Sequence, residues 1–113
     1  MIHNKTLVRE DGESFPYSEK VDKDGYYYRV SICVNGRDAH LVITNWGTTL
    51  QFNDDASCLD YSVIPEQMYP AHDRLQPGQI LAIMDNARKH LSDARQITKE
   101  QMANAYRKWL EEK

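Results

Sequence analysis

At 113 residues, 41% of them hydrophobic and 27% charged, this chain has the size and composition of one folded domain rather than of a disordered segment. Its net charge of −3 lacks the basic excess usual in nucleic-acid and anionic-membrane binders, and no apolar run approaches the ~20 residues of a membrane span. Two cysteines are too few for a disulfide framework, and Met1 to Glu10 lacks the apolar core of a secretory signal, so free thiols in a reducing cytoplasm are expected.

Asp11-Gly12 is the first turn signal, and it predicts an N-terminal hairpin with Val8 facing Phe15. Pro16 has no amide proton to give to a ladder, which confines that strand to an edge. Asp24-Gly25, Asn35-Gly36 and Trp46-Gly47 follow at intervals of about a dozen residues, the spacing of successive antiparallel hairpins. With Asn35 and Gly36 at the turn positions, Ile32 faces Ala39, Val30 faces Leu41 and Tyr28 faces Ile43. With Trp46 and Gly47 at the next turn, Ile43 faces Leu50 and Leu41 faces Phe52, on the same side of the sheet. The opposite side carries Tyr27, Arg29, Ser31 and Cys33, with Asp38, His40, Val42 and Thr44 beside them. It reads as a polar, solvent-facing surface.

Residues 54–76 read as a long loop, interrupted by Pro65 and Pro70, with one short strand possible between Leu59 and Ile64. From Pro77 the period changes to that of a helix. Ile80, Met84, Ala87 and Leu91 form its stripe, widened by Leu81 and Ile83. Thr98 and Gln101 form a capping box for a second helix, with Ile97 and Met102 placed as a hydrophobic staple and Met102, Tyr106 and Trp109 as its stripe. The expected architecture is a single α+β domain. It comprises an antiparallel β-meander of three to five strands over 4–64, then helices at about 78–93 and 98–112 packed together on the apolar sheet face.

Candidate chemistry gathers on the polar face. Cys33 stands opposite Asp38 and diagonal to His40, which are the residue types of thiolate catalysis or of a metal site. An open pleated face offers neither a pocket nor oxyanion donors, so neither a catalytic nor a metal role is assigned. His72-Asp73-Arg74 in the loop reads as solvated turn residues, and His3 and His90 have no evident partners. Gly-rich phosphate loops, C-x-x-C, H-E-x-x-H and G-x-S-x-G are all absent, and no cofactor is implied.

The pattern argues for a non-enzymatic cytosolic domain that binds another protein, in the manner of an inhibitor, an adaptor or an immunity-type protein. Tyr27, Arg29 and His40 on the sheet, with Tyr61 and Tyr69 from the loop, are the expected contact residues. A DNA-binding module using the same face is the alternative, weakened by its few arginines. A small Cys-dependent enzyme comes third.

Overall fold

The computed structural model describes residues 2–23, 25–45, 47–54, 57–61 and 74–111. Seven strands form one antiparallel sheet in sequence order. They are β1 (Ile2–Val8), β2 (Ser14–Asp22), β3 (Gly25–Val34), β4 (Arg37–Thr44), β5 (Gly47–Phe52), β6 (Ser57–Asp60) and β7 (Arg95–Thr98). Helix α1 (Pro77–Lys89) and a 3-10 turn (Leu91–Asp93) lie between β6 and β7, and α2 (Lys99–Glu111) follows β7. The α+β meander is as expected from sequence, but the sheet has more strands than the three to five anticipated. Among the described residues no helix is long and apolar enough to cross a membrane.

The central hairpin has the expected register, with Val34 opposite Arg37, Ile32 opposite Ala39 and Tyr28 opposite Ile43. Its turn works because Asn35 and Gly36 both take positive φ, 51° and 79°, which matches the twist of the flanking strands. The neighbouring hairpins need correction. Leu7, not Val8, faces Phe15. Thr44 pairs with Gly47, so Leu41 faces Leu50 and Ile43 faces Thr48, two residues from the expected partners. The shift of two preserves the faces of β4 and β5, whereas the slip of one in β1 turns Leu7 into the core and Val8 out to solvent. Likewise β2 and β3 close between Asp22 and Gly25, one residue earlier than the Asp-Gly signal implies. Asn45 contributes here: its Oδ1 accepts the Tyr26 amide at 2.7 Å, tying the start of β3 to the end of β4.

One face of the sheet is the core. Leu7, Phe15, Tyr17, Tyr26, Tyr28, Val30, Ile32, Leu41, Ile43 and Leu50 are buried there with Ile80, Ile83, Met84 and Ala87 of α1. Full burial of each large aliphatic side chain contributes roughly 1.5–3 kcal/mol before entropy is counted. Pro77 opens α1, and Gln79 Oε1 accepts the Gln76 amide at 2.7 Å.

The expected packing of both helices on the apolar face is wrong for α2. Gln51 Nε2 donates to Met102 Sδ at 2.9 Å, and Gln51 pairs with His40 and Cys58 on the polar side. Helix α2 therefore lies against the polar side at the β6–β7 end, where Cys58 and Asp60 are buried. The connection between the helices explains the difference. It is not a plain turn, because Arg95–Thr98 adds β7 beside β6, with Ile97 opposite Cys58. A chain leaving that strand pairs first with the sheet and then crosses to the other face.

Candidate functional site

What remains exposed on the polar side is the β1–β3 end, bordered on β4 by half-buried His40 and by buried Val42 and Thr44. Period-two alternation puts Lys20, Tyr27 and Thr44 in one row, Ser18, Arg29 and Val42 in the next, and Ser31 and His40 in a third. Arg29 is exposed at the centre, while Tyr27 and His40 on either side of it are half-buried. Two shallow hollows adjoin Arg29. One of about 390 Å³ lies among Ile2, Ser18, Lys20 and Tyr27, and one of about 290 Å³ among Asn4, Pro16, Ser31 and His40.

Most described arginines are held by internal ion pairs. Arg9 binds Asp85 at 2.8 Å, Arg37 binds Asp54 at 2.8 Å, Arg74 binds Glu19 at 3.1 Å and Arg95 binds Asp60 at 2.5 Å. Arg37 also lies over the Phe52 ring, 3.9 Å from its centroid. Arg88 is close to Glu13, at 4.0 Å, and donates to the Cys33 carbonyl at 3.3 Å. Among the described residues no ion pair engages Arg29 or Lys20. These two cations face solvent, with no anion paired to either among the described residues.

His40 sits beside this patch. Burial holds its pKa below the ordinary imidazole value, and the charge on Arg29 pushes it the same way. Its Nδ1 lies 2.8 Å from Asn53 Oδ1, which assigns the ring proton to Nδ1 and leaves Nε2 as an acceptor. The ring is a neutral, fixed hydrogen-bonding group at neutral pH.

The Cys33, Asp38 and His40 arrangement has the expected register, Cys33 opposite Asp38 and His40 one pair further along. His40 is turned to Asn53, and among the described residues no hydrogen bond joins Cys33 to His40 or Asp38. No group of three metal-ligating side chains occurs among them either. Cys33 borders a separate hollow of about 770 Å³ at the end of β3, where the β2–β3 ladder stops at Tyr17 and Val30. Pro16, next along β2, has no amide to offer the Ser31 carbonyl, and Arg88 supplies the donor to Cys33 instead.

The other expected contact residues fare differently. Tyr61 is 0% exposed, a member of the core, and burial raises its hydroxyl pKa. It anchors the chain after β6 and offers no surface. Tyr69, with His72 and Asp73, lies outside the described residues. Arg74 is described, and it is committed to Glu19. His90 pairs with Asp93 at 2.9 Å across the 3-10 turn, a local structural contact. Sequence reasoning missed Lys20 and Ser18 as members of the face, although β2 alternation from Tyr17 and Glu19 would have placed them there.

No family model, no curated protein and no solved structure matched this chain.

Proposed function

We propose that this protein is a small recognition domain that binds another protein through the uncovered face around Arg29 and acts by contact, as an inhibitor, adaptor or immunity-type protein does. The observation that carries this reading is the unpaired Arg29 in the middle of the face, flanked by Tyr27 and His40, when Arg9, Arg37, Arg74 and Arg95 are consumed by internal pairs. Arginine beside a half-buried tyrosine on a rigid sheet is the composition of an interface anchor. Lys20 and Arg29 together suit an acidic patch on the partner. Exposed Cys33 and buried Cys58 form no disulfide, which is consistent with a reducing compartment such as the cytoplasm.

The test is capture of partners from the native cell on the immobilised protein, with and without nuclease, followed by affinity measurements on variants. A nuclease-resistant protein partner is expected, and Tyr27→Ala and Arg29→Ala should each weaken it about tenfold or more. Unchanged affinity in both variants would refute the surface. Capture lost on nuclease treatment, with steep salt dependence, would favour the DNA-binding alternative. Abnormally fast alkylation of Cys33 would instead favour a thiol enzyme.

A further inference from the structure

Strand β1 is an edge of the sheet, seven residues long and without proline, glycine or bulge. Its hydrogen-bonding parity follows from its turn. The Arg9 amide donates to the Glu13 carbonyl at 2.8 Å, so Leu7, Lys5 and His3 bond inward to β2. The amides and carbonyls of Ile2, Asn4, Thr6 and Val8 therefore point outward from the sheet, where no strand among the described residues covers them. A long edge of this kind is a template for another chain unless charge or shape blunts it. The single charge on β1, Lys5, is turned back onto Glu19 Oε2 at 2.9 Å and does not guard the edge.

The distribution of side chains along β1 is self-complementary. Ile2 and Val8 are each 65% exposed and are the exposed large hydrophobic residues of the described structure. They stand at opposite ends of the strand, on the same face, symmetric about Lys5. A two-fold axis beside Lys5 puts each Ile2 across from Val8 of a second copy, and each Asn4 across from Thr6. All four pairs are hydrogen-bonded pairs in this register, giving about eight backbone bonds. The two Lys5 side chains lie near the axis, each already paired with its own Glu19.

We infer that this chain associates with a second copy of itself by antiparallel β1–β1 pairing in that register, forming one continuous sheet. The consequence reaches the recognition face, because Ile2 also borders the hollow beside Tyr27 and Arg29. The dimer presents two such faces on the same side of one sheet.

Sedimentation equilibrium from micromolar to millimolar chain concentrations should show a mass rising to twice that of one chain. Asn4→Pro removes an outward amide and leaves the β2 ladder intact, so it should return the mass to one chain with an unchanged circular-dichroism spectrum. Cross-linking keeps the register testable even if that variant fails to fold. In a Cys33→Ser background, Asn4→Cys and Thr6→Cys proteins are prepared separately, mixed under reducing conditions and then oxidised. A disulfide dimer should form in the mixture and in neither protein alone, because like positions stand ~7 Å or more apart across the axis. Cross-linking of either protein alone would overturn the register, and a single-chain mass at every concentration would overturn the dimer.

Discussion

The Tyr28 hydroxyl donates to Glu19 Oε1 at 3.1 Å on the covered face of the sheet, where Glu19 is only 3% exposed. The same hydroxyl accepts the Leu75 amide at 2.9 Å, and Arg74 and Lys5 close on the Glu19 carboxylate at 3.1 and 2.9 Å. Residues 74 and 75 immediately precede the α1 cap at Gln76. This cluster thus fixes where the chain re-enters the fold, and so where α1 begins its passage over the core. Burial pushes the Tyr28 hydroxyl up to about 12, which keeps it a neutral donor and acceptor throughout the physiological range.

Tyr28→Phe should therefore destabilise the protein by about 1–3 kcal/mol, because the Leu75 amide and one Glu19 oxygen lose a buried partner. The ring contacts with Tyr17 and Tyr26, at 6.2 and 5.6 Å between centroids, remain in place. A urea titration should show a lower midpoint with an unchanged slope. An unchanged midpoint would mean that the cluster contributes nothing to holding residues 74 and 75.

The pH dependence follows from the same carboxylate. Burial alone would raise the Glu19 pKa, but hydrogen bonds from Lys5 and Tyr28, with the charge of Arg74, outweigh it and hold the pKa below the ordinary glutamate value. The folded state then binds its proton more weakly than the unfolded chain does. The stabilisation is complete above the ordinary glutamate pKa and is lost as pH falls through the lower folded value. Thermal midpoints measured from neutral to about pH 3 should fall steeply at the acid end for the native protein and less steeply for Glu19→Gln. Parallel curves would remove Glu19 from the account.

The sequence reveals the central part of this fold because one turn is chemically specific. Asn35-Gly36 allows one tight connection, and alternation then sorts Tyr28, Val30 and Ile32 from Tyr27, Arg29 and Ser31. The side of the sheet that α2 covers is less legible, since an amphipathic stripe specifies an apolar face but not what lies against it. Val42, Cys58 and Ile97, apolar residues on an otherwise polar side, were the available signal. Strand β7 escaped because Arg95 and Gln96 offer no apolar alternation, and its pairing with β6 depends on contacts more than thirty residues away. Glu19 gave no sign of burial, because its cations come from β1 and from the far end of the loop. Tyr61 was ambiguous between anchor and contact residue, and packing decided it.

Gly25 should not tolerate a side chain. Its φ of +133° is a conformation that other residues rarely adopt, and an added Cβ would collide with the Asn45 side chain. Moving Asn45 aside would also release the Tyr26 amide that it binds at 2.7 Å. Gly25→Ala is expected to cost about 1–3 kcal/mol, seen as a lower denaturation midpoint. Gly12→Ala is the informative control. Gly12 has φ of +89° but open space around a Cβ, so its loss should be the smaller of the two. Equal losses would show that the Asn45 collision is relieved at no cost.

Thr98 tests whether α2 matters to the face it covers. Thr98 Oγ1 accepts the Gln101 amide at 3.1 Å, and Gln101 Oε1 accepts the Thr98 amide at 2.9 Å, a reciprocal cap at the junction of β7 and α2. Thr98→Ala should lower stability by ~1 kcal/mol. Because Met102 in the first turns of α2 reaches Gln51, fraying of this end should also expose the polar side near Cys58, which is buried in the intact fold. Alkylation of Cys58 in a Cys33→Ser background should then run faster in Thr98→Ala than in the parent. The amides of β3 and β4 should keep their hydrogen-exchange protection, since their ladder does not depend on α2. Loss of protection across the whole sheet would mean instead that α2 and the meander unfold as one unit.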